Sequence, residues 1–348
     1  MALRCRGACD RRSQQFRRPP LSTLPFRAAL ILVLVSASVP PASADTVLTV
    51  GKASSEAESI ITVNVGDDAG IFKKHGLNLK IVNFEGGSRI VQALIANSID
   101  IAIGAGTQMS FIAKGAPMIA VCESTTTLPY FSIGVPWDSP IQTLADLKGK
   151  KIGVSNPGTL TDWVARELAR KMGWGPDGVT RVTVGSGVTA SSAAFRAGQI
   201  DAYVGGTASF LVEAEKHVGR VLAPVSDFVD NMASGTLFAS NRLVDTNPEA
   251  IRAFLAAWVE TTDFILTHEQ ETVKSWSKVT GFPEAVMTKE YDLVRGMYNR
   301  SCKFDPQSLA TLKRSFVELG LLDASPDMAK LYTEAYLPAS QGTGAPGR

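Results

Sequence analysis

The sequence predicts an α/β protein of two lobes, each built on a mostly parallel, doubly wound sheet, with a helical carboxyl-terminal region. Three observations predict it. The phrase ALIANSIDIAIGAGT at residues 93–107 returns as AFRAGQIDAYVGGT at 194–207, placing Asp201 on Asp100 and Val204 on Ile103 at an offset of 101 residues. The same order of elements precedes each copy: strand, turn, helix, strand, Gly/Ser turn, helix. The 348 residues, less a leader of 44, exceed what a single core normally fills.

The leader comes first. Residues 1–27 are basic, Ala28 to Val39 are apolar, and a small-residue A-x-A site precedes Asp45, the pattern of a secretory signal peptide over residues 1–44. Twin-arginine export, suggested by Arg11-Arg12 and Arg17-Arg18, lacks the expected apolar residues after the pair. The leader carries seven arginines and one aspartate, so 35 basic and 33 acidic side chains become 28 and 32. The mature chain is mildly acidic, with no basic cluster to suggest nucleic acid.

From Thr46, VLTVGK reads as a strand, Ser54 and Ser55 as caps or ligand donors, and a helix is expected from Glu56. Leu77 to Phe84 alternates as a strand, and Gly86-Gly87-Ser88 turns into a helix expected to close at Asn97 in the left-handed conformation. An apolar strand, a glycine and Thr107 follow, with the threonine placed to cap the next helix, Gln108 to Lys114. Pro117 to Cys122 is a further strand, followed by the Thr125-Thr126-Thr127 loop, and PYFSIGVP reads as a crossing into a second lobe. There KIGVS, a helix opened by Asn156 to Thr161, a strand at Val179 to Val184, Gly185-Ser186-Gly187 and the second phrase repeat the pattern, with Gly198 and Thr207 matching Asn97 and Thr107. GTLFAS at 235–240 reads as the return crossing, and helices are expected near 250–266, 269–279, 283–297, 306–319 and 328–335. The expected organisation is residues 45–135 with 236–337 as one lobe, 136–235 as the other, and a disordered tail at 338–348.

No catalytic motif assembles in the chain: no G-x-S-x-G, Walker loop, H-E-x-x-H or C-x-x-C. No cofactor, metal site or catalytic residue is expected. Asp67-Asp68 read as a solvated helix end, Asp100 and Asp201 as structural caps, and His75, His217 and His268 as surface residues. Cys122 and Cys302, the two cysteines beyond the leader, are expected to stay unpaired. Hydroxyls at Ser54, Ser55, Thr107, Thr159, Thr161, Ser186 and Thr207, beside strand ends and helix N-termini, suit a compact anion or zwitterion. Phe84, Tyr130, Trp163 or Tyr203 could cover an apolar tail.

The stretches GIFKKHGLNLKIVNFEGG, VQALIANSIDIAIG, AKGAPMIAV, LADLKGKKIGVSNPGT, the second phrase and NPEAIRAFLAAW together resemble the periplasmic solute-binding proteins of ABC importers, in the branch of sulfonate, taurine, nitrate and thiamine-precursor binders. That resemblance implies a two-lobed Venus-flytrap that delivers a small anionic or zwitterionic solute of sulfonate, carboxylate or pyrimidine type to an ABC permease in the inner membrane. A soluble periplasmic monomer follows from the same likeness. Its ligand contacts would fall on Ser54, Ser55, Gly104, Gly106, Thr107, Thr126, Gly158, Thr159, Thr161, Gly185, Ser186, Gly206 and Thr207. The fungal pyrimidine-precursor synthases resemble these binders too, but their cysteine-rich motif and histidine chemistry have no counterpart here. A periplasmic sensor presenting its ligand to a receptor is the second alternative.

Overall fold

In the computed structural model, residues 45–84 and 86–339 are described; the leader and the end of the tail lie outside them. Two five-stranded mixed sheets are built alike. The first runs in the order β2 (Leu77–Asn83), β1 (Thr46–Lys52), β3 (Ile101–Gly104), β10 (Gly235–Ser240), β4 (Met118–Thr125). The second runs β7 (Thr180–Thr183), β6 (Lys151–Val154), β8 (Ala202–Gly206), β5 (Phe131–Pro136), β9 (Gly219–Pro224). In each sheet the fourth strand is a segment where the chain crosses between sheets, β5 opening the run β5–β9 that makes the second and β10 returning to the first. The fourth strand runs antiparallel to both neighbours, while β1 with β2 and β3, and β6 with β7 and β8, are parallel. The parallel expectation therefore describes three strands of each sheet. Strand β9 was not legible, because GRVLAP is short and lacks alternation.

The helices are α1 (Glu58–Asp68), α2 (Ile71–Lys74), α3 (Gly87–Ile95), α4 (Met109–Ala113), α5 (Leu160–Lys171), α6 (Val188–Arg196), α7 (Thr207–Glu215), α8 (Asn241–Thr246), α9 (Pro248–Thr267), α10 (Glu269–Thr280), α11 (Glu284–Val294) and α12 (Pro306–Glu318). The repeat persists in three dimensions at the same offset: α3 and α6 are each nine residues long and start after glycines of positive φ, Gly86 and Gly187. They close at Asn97 (φ 55°) and Gly198 (φ 62°), the left-handed residues expected there. Asp100 and Asp201 then perform one task. Asp100 Oδ2 accepts from Thr49 N–H at 2.8 Å and Asp201 Oδ2 from Lys151 N–H at 2.8 Å, while their own N–H groups donate to the carbonyls of the same two residues. Each aspartate therefore sets the register of the neighbouring parallel strand.

Several expectations are corrected. The threonines do not cap the following helices: Gly206 precedes α7 and Ala105 precedes a 3-10 turn, where Gln108 Oε1 accepts from Ala105 N–H at 2.6 Å and takes over the capping task. The first helix begins at Glu58, not Glu56, because Ser54 Oγ accepts from Glu56 N–H in a local turn. Residues 328–335 form only a 3-10 turn, since Leu331 and Thr333 hydrogen-bond Ala120 along the edge of β4. Cys122 and Cys302, 180 residues apart, form a disulfide. The segment around Cys302 runs beside β4, with Glu123 N–H donating to Cys302 O and Asn299 N–H to Ser124 O, and this brings the two thiols together. His75 is half-buried rather than fully exposed, bonded to Glu260 at 2.8 Å.

One core cluster runs through both halves, with Trp163, Trp258 and Trp276 enclosed, and a smaller one gathers Ala194, Phe195, Ile200, Tyr203 and Phe210. No helix among the described residues is long and apolar enough to cross a membrane.

Candidate functional site

The carboxyl ends of β1, β3, β6 and β8 meet over one pocket. From the first half it is lined by Ala53, Ser54 and Glu56 after β1, by Ala105 after β3, and by the first turn of α3. From the second half come Ser155 after β6, the start of α5, Ser186-Gly187 before α6, Gly206 and Ser209. This is the position where open α/β sheets expose free N–H groups and helix N-termini.

Of the thirteen expected contacts, Ser54, Gly104, Thr159, Thr161, Ser186 and Gly206 line the pocket. Ser55, Gly106, Thr107, Thr126, Gly158, Gly185 and Thr207 are outside that lining, for reasons visible in some of their partners. Thr107 is fully buried and its hydroxyl accepts from Gln108 Nε2 at 2.9 Å. Thr207 Oγ1 pairs with Ser132 Oγ at 2.8 Å. The Thr126 carbonyl accepts from Met232 N–H, and Gly158 N–H donates to Asp162 Oδ2. A Cβ on Gly106 would meet Leu312 Cδ1 at 2.5 Å, so that glycine admits a neighbouring helix rather than a ligand. Gly104 likewise makes room for Gln108, whose Oε1 lies 2.7 Å from where its Cβ would stand.

The hydroxyls that do reach the pocket are largely bonded to one another. Ser155 Oγ lies 3.0 Å from Thr159 Oγ1 and 2.9 Å from Thr161 Oγ1, and the two threonine oxygens are 3.0 Å apart. Ser186 Oγ is the exception, buried without a protein partner among the described residues.

Residue-by-residue reading missed Glu56. Its Oε2 accepts from Ser209 Oγ at 2.8 Å and from Val188 N–H at 3.0 Å, so a carboxylate of the first half occupies the N-terminus of α6 in the second. Burial raises its pKa, opposed by the bonds from Ser209 and Val188. The signal in the sequence was an acid after a Ser-Ser turn, which also reads as an ordinary helix start. Behind it, Glu58 and Glu290 are buried with unpartnered oxygens. Burial and mutual repulsion push Glu58 well above the carboxylate range, and burial lifts Glu290 to about 8. Burial therefore favours the neutral form of both acids.

Tyr130 and Tyr203 line the pocket with their rings, while their hydroxyls turn away: Tyr203 donates to Gly185 O at 3.0 Å and Tyr130 accepts from Ser59 Oγ at 2.9 Å. Burial pushes Tyr130 up to about 12. Trp163 lies in the core and Phe84 packs against it; neither is part of the lining. Among the described residues, no cluster of three His, Cys, Asp or Glu could hold a metal ion. A pocket of hydroxyls, aromatic faces and one anchored carboxylate suits recognition of a small polar solute.

Residues 58–272 match the family described as NMT1/THI5 like. A protein of Brucella abortus, named provisionally as a binding protein, is 33% identical over 230 residues, 65% of this chain and 69% of that one. A 4-amino-5-hydroxymethyl-2-methylpyrimidine phosphate synthase of Saccharomyces cerevisiae is 25% identical over 296 residues, 80% of this chain and 84% of that one. Among solved structures, the alkanesulfonate-binding protein of Xanthomonas axonopodis pv. citri bound to MOPS has a TM-score of 0.69 at 19% identity, covering 81% of this chain and 94% of that one. The periplasmic nitrate-binding protein of Synechocystis PCC 6803 has a TM-score of 0.65 at 16% identity, covering 84% and 87%. At such identities these structures establish a shared fold.

Proposed function

The chain belongs to the NMT1/THI5-like family, and from that premise we propose that it is the extracytoplasmic solute-binding component of an ABC importer. After removal of residues 1–44 it acts in the periplasm as a soluble monomer, capturing a small anionic or zwitterionic organic solute and delivering it to permease subunits in the inner membrane. The proposed lobes are residues 45–135 with 236–337, and 136–235; β5, from Phe131, pairs in the second sheet and β10, from Gly235, in the first. One observation carries the reading: a single pocket draws its lining from the carboxyl ends of two like-built sheets between which the chain crosses twice, before β5 and before β10. Such a frame can open and close over a solute without any reactive group. The proposed ligand set is the six of those residues that line the pocket, Ser54, Gly104, Thr159, Thr161, Ser186 and Gly206, reinforced by Glu56 and Ser209.

Solute binding raises Tm through mass action, by the equivalent of about 2.7 kcal/mol at a hundredfold excess over Kd, and small-angle scattering reports compaction. A screen of sulfonates, aromatic acids, nitrate and pyrimidines that left both Tm and scattering unchanged would remove the binding-protein reading. The yeast relatives supply the second reading, a synthase on this fold. Formation of a pyrimidine phosphate by the purified chain would favour it over capture and release.

A further inference from the structure

Helix α5 carries two acids that are almost wholly buried, Asp162 and Glu167, and each is paired within the second half of the chain. Asp162 accepts from Arg166 Nε at 3.0 Å and pairs with Arg181 Nε, on β7, at 2.9 Å. Glu167 accepts from Arg170 Nε at 2.8 Å and from its Nη2 at 2.7 Å. Helix α12 is seated on the first sheet: Asp305 N–H, at its start, donates to Glu123 Oε2 of β4 at 2.6 Å, and Leu312 fills the space left by Gly106. On α12 itself, Arg314 Nη1 donates to Glu318 Oε2 at 2.7 Å.

Three further contacts cross from α5 to α12. Arg166 Nη1 donates to Leu319 O at 2.6 Å, Arg314 Nη2 lies 3.4 Å from Glu167 Oε1, and Arg170 Nε lies 3.7 Å from Glu318 Oε2. Withdrawing α12 would break these three and still leave each carboxylate paired within its own half, so no buried charge is stranded. A contact of that kind can be released and remade. It also reaches the pocket, because Asp162 Oδ2 accepts from Gly158 N–H at 3.0 Å, in the turn that leads to the pocket residues Thr159 and Thr161.

We propose that α12 is a releasable latch between the two lobes and that Arg166 is the positioning residue linking it to the pocket: one nitrogen holds the end of α12, while another holds Asp162 and through it the Gly158 turn. Closing the lobes engages the latch and fixes that turn; opening frees both. The latch rests on the premise of the binding-protein reading that the lobes move, and it depends on no particular solute.

Small-angle scattering and amide-exchange mass spectrometry of the solute-free mature chain test it, with sodium chloride as the probe. Arg314→Gln, on α12 and outside the pocket lining, enlarges the radius of gyration and speeds exchange in peptides covering residues 156–163 roughly three- to tenfold. Arg166→Gln does both to a greater extent, and Arg314→Gln decides the matter alone if that variant fails to fold. Raising salt from about 0.1 M to 1 M, which shortens the Debye length from ~10 Å to ~3 Å, reproduces the Arg314→Gln effect in the wild type and adds little to the variant. Unchanged dimensions in both variants, or faster exchange confined to Arg166→Gln, would make Arg166 a local prop of the turn and overturn the latch. Compaction of the wild type on the solute screen beside that result would leave the binding-protein reading standing. Enlarged variants beside an unresponsive screen would sustain the latch and count against that reading.

Discussion

The carboxylate of Glu56 and the hydroxyl of Ser209 lie 2.8 Å apart and join the loop after β1 to helix α7, across 153 residues of sequence. With Val188 N–H on the same oxygen, this contact ties the first half of the pocket to the second. Ser88 Oγ donating to Pro157 O at 2.8 Å adds a further tie between the halves. Removing the Ser209 donor is therefore expected to weaken the closed pocket without disturbing either sheet. Ser209→Ala should raise the solute Kd roughly tenfold, or about 1.4 kcal/mol, with far-ultraviolet circular dichroism unchanged. An unaltered Kd in calorimetry would show that the bond does not contribute to the bound state.

Gly187 and Gly198 separate backbone strain from site geometry. Both have positive φ, 87° and 62°, but a Cβ on Gly187 would crowd Glu56, whereas around Gly198 there is open space. Gly198→Ala should cost about 1 kcal/mol of stability with unchanged solute affinity. Gly187→Ala should cost at least as much and also weaken binding, since Glu56 must move. Chemical denaturation paired with calorimetry distinguishes the two, and equal binding by both variants would detach Gly187 from the site.

The buried acids Glu58 and Glu290 make stability depend on pH in an unusual direction. An unfolded glutamate ionises near 4.5, whereas burial raises Glu290 to about 8. The contribution of the neutral acid is complete below 4.5 and declines as pH rises through 8, because only the unfolded chain releases the proton readily in that window. Stability should therefore fall between pH 5 and 8, and Glu290→Gln should flatten the slope and add about 1–3 kcal/mol at pH 8. Urea midpoints measured across that range that stay level in the wild type would refute the assignment.

The Cys122–Cys302 disulfide closes a long loop between β4 and the segment before α12. Loop-closure entropy predicts that replacing both cysteines with serine costs about 2–5 kcal/mol. The pocket is lined by other elements, so solute affinity should survive at temperatures where the variant is folded. Scanning calorimetry of the oxidised and reduced proteins gives the comparison, and coincident Tm values would remove the bridge from the stabilising contacts.

Part of the site was legible because its signals are local. Ser54, Thr159, Thr161 and Ser186 sit where a strand end meets a helix N-terminus, and that juncture is written in glycines and hydroxyls a few residues apart. Thr107 and Thr207 carry the same signal but stand outside the pocket lining, one hydroxyl bonded to Gln108 and the other to Ser132 on the crossing strand β5. Glu56 was missed for the converse reason: its partners, Val188 and Ser209, lie more than a hundred residues away.

By itself the sequence determined the duplication, the glycine or asparagine closing each repeated helix, and the α/β class, since these follow from backbone preference and apolar period within short windows. Only the tertiary structure decided which strand enters each sheet antiparallel, which cysteines meet, and which donors face the pocket. Those outcomes depend on distant polar groups finding partners as water is excluded, and no local pattern encodes that pairing.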